Sequence, residues 1–306
     1  DAMGRFSRDK RDVFYRRAKE TGYRARSAFK LIHIDAEFDL FRFQQTKRVE
    51  RAVDLCAAPG SWSQVLRDRI VDSQHRMIVA VDLQPMAPLD GVHILQGDIT
   101  RLETAEAILS HFGESQRAEL VVCDGAPDVT GLHDLDEYIQ SQLLLRAVQI
   151  TTHVLCEHGT FVAKIFRGRH VGLLYGQLRM LFHRVSVAKP ASSRNSSMEA
   201  FVVCQDFKGG PHMNLPLDDD DGHFGVNEDV KNALLHPSVV PFVACGDLSG
   251  WYEEKGGNRS DNLGVLDADK SYPLEEGVSY VAPLAPPIEP PYETAKENEK
   301  SKKEDT

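Results

Sequence analysis

Between residues 51 and 205 short runs of β-branched residues alternate with longer amphipathic stretches. That rhythm admits few solutions other than a doubly wound parallel sheet with helices on both faces. It predicts strands at 52–55, 77–81, 93–96, 120–123, 160–165, 185–188 and 200–204, and helices near 61–70, 102–112, 134–155 and 170–182. The last two strands are joined by a Ser-, Pro- and Asn-rich turn rather than a helix, so the final strand is expected to run antiparallel. The expected fold is therefore α/β, with a seven-stranded sheet carrying one reversed strand. Two helices are predicted ahead of it, near 12–20 and 26–38, joined by Thr21-Gly22-Tyr23. Three regions result: a basic helical segment over 1–50 packed on the core, the core itself over 51–206, and an acidic Pro- and Gly-rich extension over 207–306.

The net charge of −10 argues against a nucleic-acid partner only as an average. Residues 207–306 hold 9 Lys/Arg against 20 Asp/Glu, whereas the first thirty hold 10 against 4. A basic arm of this kind attracts a phosphate backbone, and Phe14, Tyr15 and Tyr23 place rings within it that can stack on bases. A solvated basic helix face is the plainer alternative. The acidic extension would repel RNA, so a protein is its natural partner. Its apolar run Val239-Val240-Pro241-Phe242-Val243-Ala244-Cys245, with Trp251, Tyr252, Tyr272, Tyr280 and Tyr292, predicts that part of it docks, while the charged last dozen residues are expected to be disordered.

Other classes of protein find no support. No apolar stretch is long enough for a bilayer, and the basic N-terminus lacks a signal-peptide core, so a soluble intracellular protein is expected, with Met3 as initiator after Asp1 and Ala2. Arg8 occupies the Ser/Thr position of a myristoylation pattern that would begin at Gly4, which argues against lipid anchoring. Five widely spaced cysteines without a C-x-x-C pair are expected to be reduced thiols, and the twelve histidines have no metal-ligand spacing.

The sharpest local motif is the turn after the first strand, Asp54-Leu55-Cys56-Ala57-Ala58-Pro59-Gly60-Ser61-Trp62-Ser63. Strand, small-residue turn and helix present backbone N–H groups at the carboxyl edge of a sheet. The turn lacks G-x-G-x-x-G and contains Pro59, which favours a small ligand without a pyrophosphate. Asp82, Asp98 and Asp124 follow the next three strands. One such Asp is most simply a turn residue or cap, but three at successive strand ends suit an adenosine-like, positively charged ligand such as S-adenosylmethionine.

Four segments, R-S-A-F-K-L, C-D-G-A-P-D, F-V-A-K-I-F and S-S-M-E-A-F, contribute Lys30, Asp124, Lys164 and Glu199. With G-Y-R-A-R-S-A-F-K-L, D-L-C-A-A-P-G-S-W-S-Q, Q-G-D-I-T, V-V-C-D-G-A-P-D-V-T-G and A-K-P-A-S-S-R-N-S-S-M-E-A-F, the chain resembles the FtsJ family of RNA 2′-O-methyltransferases from about Met3 to Gln205. Within it the likeness is to the eukaryotic cytoplasmic tRNA anticodon-loop enzymes, and it resumes at V-V-P-F-V-A-C-G-D-L-S, Ser271-Tyr272-Pro273-Leu274 and Pro286-Pro287-Ile288-Glu289-Pro290-Pro291-Tyr292. Gly209 to Val230 and Glu253 to Lys270 match no such pattern.

The resemblance implies a Rossmann-like methyltransferase fold and S-adenosylmethionine held by Gly60, Trp62, Asp82, Asp98 and Asp124. It implies methyl transfer to the 2′-hydroxyl of tRNA nucleotides 32 or 34 with Lys164 as base, and separate proteins directing the choice: a WD-repeat partner for 34 and a helical-repeat partner for 32. Neither a membrane nor DNA is expected as a partner. An ordinary Lys is charged at neutral pH, so burial and the like charge of Lys30 are expected to lower the pKa of Lys164, with Asp124 and Glu199 opposing them. Arg24, Arg26 and Arg194 are the expected RNA contacts; Arg167 and Arg169 are equally helix caps. An rRNA or mRNA-cap methyltransferase and a non-catalytic RNA-binding scaffold remain alternatives.

Overall fold

A computed structural model describes residues 12–44, 47–70, 76–113, 115–127, 133–168, 171–210, 215, 217 and 240–246. Helices α1 (Val13–Glu20) and α2 (Ala28–Phe38) precede a small hairpin, β1 (Arg42–Phe43) and β2 (Lys47–Arg48). The order then runs β3 (Arg51–Leu55), α3 (Ser61–Arg69), β4 (Met77–Asp82), β5 (His93–Gln96), α4 (Leu102–Phe112), β6 (Ala118–Cys123) and α5 (His133–Val154). It closes with β7 (Leu155–Phe166), α6 (Val171–Leu181), β8 (Phe182–Pro190), β9 (Glu199–Phe207) and β10 (Phe242–Cys245).

The main sheet has eight strands in the order β10-β8-β9-β7-β6-β3-β4-β5. Only β9 is reversed, pairing antiparallel with both β7 and β8. The fold is thus the expected mixed α/β sheet, extended by one strand: β10 adds parallel to β8, with Phe242 opposite Val187 and Cys245 opposite Pro190. Among the described residues the extension docks through this strand, with Cys245 fully buried, and through Leu215, Leu217 and Val240, which pack against the core. Trp251, Tyr252, Tyr272, Tyr280 and Tyr292, expected to anchor the extension, lie outside the described residues, as does Arg169.

Period-2 alternation divides the sheet between two cores. Val53, Val79, Val121, Ala163 and Val202 face α4, α5 and α6, while Ala52, Ile78, Val122, Val162 and Phe201 face α2 and α3. Lys164 shares the parity of Val162, so it projects to the side on which α2 carries Lys30. Asp12 caps α1 by accepting from the Tyr15 N–H at 3.0 Å. Two rings expected to stack on bases serve the fold instead: Phe14 is buried against Phe29 and His33, and Tyr23 meets Phe29 edge-on. Their apolar area is worth more in the core than exposed. Among the described residues no helix is long and apolar enough to cross a membrane, and no group of three His, Cys, Asp or Glu is placed to hold a metal. All five cysteines are free thiols.

Candidate active site

From β3 the chain winds outward through β4 and β5, then returns to place β6 and β7 on the other flank of β3. The order reverses between β3 and β6, and the crevice at the carboxyl ends of those strands is where such sheets bind ligands. The turn after β3 forms one wall. Ala57 N–H donates to Val81 O at 3.0 Å, Gly60 N–H to Ala57 O at 2.6 Å, and Ala58 N–H to Asp82 Oδ2 at 2.9 Å. Gly60 has φ +103°, and a Cβ there would lie 2.8 Å from Arg24 Nη1 and 2.9 Å from Met86 Sδ. Only glycine fits this backbone.

Asp82 ends β4, Asp98 follows β5 and Asp124 follows β6, so the three carboxylates do stand at strand ends along one edge. They also tie their turns: Asp82 Oδ1 accepts from Gln84 N–H at 2.7 Å, and Asp98 Oδ1 from Thr100 N–H and Oγ1 at 2.9 and 2.8 Å. Each carboxylate has lone pairs beyond these bonds, so both roles are compatible. Trp62 requires a correction. Its side chain is 2 % exposed, packs on Phe201 and donates its indole N–H to Ser27 O at 2.8 Å. A contact from Trp62 to a ligand in the crevice is left to its backbone N–H at the start of α3, because the ring is committed to the core.

Lys30, Asp124, Lys164 and Glu199, separated by up to 169 residues, meet in one chain of alternating charge. Lys164 Nζ lies 2.8 Å from Asp124 Oδ1 and donates to the Asp124 carbonyl at 2.8 Å. Glu199 Oε2 lies 3.7 Å from Lys164 Nζ and accepts from Lys30 Nζ at 2.7 Å. Burial pushes the Glu199 carboxyl up, but the two ammonium groups, Lys30 first, outweigh it and hold it at about 2. Lys164 is the second correction. Burial is the largest influence and lowers it, yet Asp124 and Glu199 together win, so its pKa is raised rather than lowered. The like charge of Lys30 does not prevail, because Glu199 stands close to both ammonium groups, 2.7 Å from Lys30 Nζ and 3.7 Å from Lys164 Nζ.

Of the three arginines expected at RNA, two hold the protein's own backbone and the third is partly exposed. Arg24 donates to the carbonyls of Pro59 (3.0 Å), Ala87 (2.8 Å) and Pro88 (2.6 Å), which commits its fork to the protein's own backbone. Arg26 pairs with Asp12, donates to Ser192 O at 2.6 Å and lies over Phe14. Arg194 lies 3.8 Å from Asp12 Oδ2 with its side chain 41 % exposed, against 20 % for Arg26. Arg167 is exposed over the Phe242 ring at 5.3 Å.

Several supporting residues escape a sequence reading. Buried Ser193 donates to Glu199 Oε1 at 2.7 Å, and Lys189 Nζ holds the carbonyls of Ser197 and Glu199. Buried Gln140 donates to the carbonyls of Gly125 and Lys164, both at 3.1 Å, tying the ends of β6 and β7 together. Nothing distinguishes Ser193 from the other serines of its segment until the hairpin folds. Asp54 is fully buried within β3, accepts from Ser63 Oγ at 2.6 Å, and is pushed by burial up to about 7.

Comparison with known proteins agrees with this geometry. A family model described as FtsJ-like methyltransferase matches residues 23–207. A human tRNA (cytidine(32)/guanosine(34)-2'-O)-methyltransferase is 55% identical, covering 96% of this chain and 84% of the human protein. Its namesake from Schizosaccharomyces pombe is 50% identical over 98% of this chain and 99% of its own. A rat pre-rRNA 2'-O-ribose RNA methyltransferase is 42% identical over 67% of this chain but 24% of its own. Among solved structures, a Plasmodium falciparum protein assigned as a ribosomal RNA methyltransferase superposes with a TM-score of 0.54 at 24% identity, covering 61% of this chain and 100% of that one, a likeness of fold. A core that carries the family's motifs at one sheet edge, and relatives that align along nearly the whole chain, establish that the chain belongs to the FtsJ-like methyltransferase family.

Proposed function

We propose that the chain moves the methyl group of S-adenosylmethionine onto the ribose 2′-hydroxyl of tRNA anticodon-loop nucleotides 32 and 34. The observation that carries this is the convergence of Lys164, Asp124 and Glu199 beside a crevice edged by Asp82 and Asp98. The donor set fits the cofactor: carboxylates at the ends of three successive strands suit a ribose diol, an amino group and positive charge. When bound, S-adenosylmethionine supplies an electrophilic methyl on a positively charged sulfur.

Lys164 is the group to take the 2′-hydroxyl proton as that oxygen attacks. Asp124 fixes the amine through its carbonyl and carboxylate, and Glu199 links it to Lys30. As an ammonium Lys164 cannot accept a proton, so it must lose one first. That loss is easier when a cationic ligand shares the crevice, since like charge disfavours the ammonium. The tRNA substrate is supported by relatives that align through the extension, whereas the pre-rRNA relative stops at 67% of this chain. The acidic extension is the natural dock for proteins directing the choice of nucleotide, a WD-repeat partner for 34 and a helical-repeat partner for 32.

The test is methylation of unmodified tRNA with labelled S-adenosylmethionine, alone and with candidate partners, mapped by nucleotide. Signal at 32 or 34 that vanishes in Lys164→Ala is expected. Methylation confined to rRNA or capped RNA would overturn the substrate, and silence on every RNA would overturn the chemistry.

A further inference from the structure

Arg24 binds both loops that bracket the crevice. Its Nη1 donates to Pro59 O in the turn after β3 and to Ala87 O in the loop after β4, and its Nη2 donates to Pro88 O in that same loop. Its backbone is fixed as well: Arg24 N–H donates to Gln64 Oε1 at 2.7 Å, and Gln64 Nε2 donates to Gly22 O at 2.9 Å. Gln64 is buried on α3, the helix that opens from the turn, and three residues on Ser27 Oγ lies 2.7 Å from Ser61 Oγ at the start of that helix. The guanidinium also fills the space beside Gly60 where a Cβ would go.

From this geometry we infer that Arg24 is a positioning residue for the cofactor: it sets the spacing between the turn at 57–60 and the loop at 83–88, and so the width of the crevice between them. A planar fork with several donors is suited to joining three carbonyls at once, and a lysine ammonium is not. The inference rests on the proposal that this crevice holds S-adenosylmethionine. The Arg24 guanidinium hydrogen-bonds the protein's own carbonyls, so its effect on the reaction runs through the loops it joins.

The test compares wild type, Arg24→Met and Arg24→Lys by calorimetric binding of S-adenosylhomocysteine, by tRNA affinity, and by steady-state kinetics in each substrate. Arg24→Met should weaken S-adenosylhomocysteine binding and raise the KM for S-adenosylmethionine by ~10-fold or more, the scale of one to two charge-assisted hydrogen bonds. Arg24→Lys should fall between it and wild type. At saturating cofactor, kcat and the tRNA affinity should stay within about 2-fold of wild type, a split that a general loss of folded protein does not produce. If Arg24→Met does not fold, Arg24→Lys carries the same comparison. Unchanged S-adenosylhomocysteine affinity with weakened tRNA binding would overturn the inference and return Arg24 to the RNA. Wild-type protein that binds no S-adenosylhomocysteine would overturn the cofactor assignment itself, and the inference with it.

Discussion

At the scale of single residues, the decisive quantity is the protonation of Lys164. With its pKa raised above the ordinary lysine value, the amine stays charged through neutral pH and the reactive form grows as pH rises. Single-turnover methylation is therefore expected to climb with pH on its acid side. Glu199→Gln removes one of the influences that raise Lys164, so the limb should move to lower pH even though the maximal rate falls. A limb that stays in place would mean the titrating group is not Lys164. Asp54 gives a prediction of opposite character. Its folded-state pKa of about 7 lies above the ordinary aspartate value of about 3.9, so the native state binds the proton more tightly than the unfolded chain. Its cost to stability is absent at low pH, grows between about 4 and 7, and is complete above 7. Asp54→Asn keeps an acceptor for Ser63 and removes the buried charge, so its gain in melting temperature over wild type should be small at pH 5 and largest at pH 8. The gain is expected on the order of 2–4 kcal/mol at most, less whatever the altered hydrogen bond loses.

At the scale of elements, what the sequence reveals is what local pattern encodes. The alternation over 51–205 places the seven core strands and four helices, because each buries a face whose period is written in consecutive residues. The hairpin at β1 and β2 is silent, since two-residue strands of Arg, Phe and Lys carry no alternation. Side-chain roles follow the same divide. Lys30, Asp124, Lys164 and Glu199 are legible from their motifs, yet the pKa direction at Lys164 depends on which charges end up adjacent, and that is a tertiary fact. Trp62 shows the limit most sharply: it sits in the ligand turn by sequence, but α2 packs over α3 and draws the ring inward onto Phe201. Trp62→Phe is accordingly expected to destabilise the fold by about 1–2 kcal/mol, by removing the indole hydrogen bond and leaving the Ser27 carbonyl to the Lys30 N–H alone, while S-adenosylhomocysteine affinity changes less than ~2-fold. A large loss of affinity at unchanged melting temperature would put the indole back at the ligand.

At the scale of the whole molecule, the extension is not a single appendage to a finished core. Phe242–Cys245 completes the sheet beside β8, with Ala191 N–H donating to Cys245 O at 2.7 Å and Val243 packed among the residues under α2 and α3. Removing residues 207–306 would therefore do two things at once: strip an acidic docking segment, and turn β8 into an open edge with Val187 and Ala188 at its rim. An exposed apolar edge invites pairing with other chains. A truncation after Gly246 separates the two effects. It should keep the melting temperature and S-adenosylhomocysteine affinity of the full chain and lose capture of the partner proteins. Truncation at 206 should in addition lose about 3 kcal/mol or more, for the burial of Cys245 and Val243 and of Phe207, the last residue of β9, and associate at high concentration. On a domain of this size that is roughly 6–12 °C in Tm. If instead the chain ending at 246 melts as early as the chain ending at 206, the strand contributes nothing to the fold. If the chain ending at 246 still captures its partners, the docking surface lies within residues 1–246 and residues 247–306 serve another purpose.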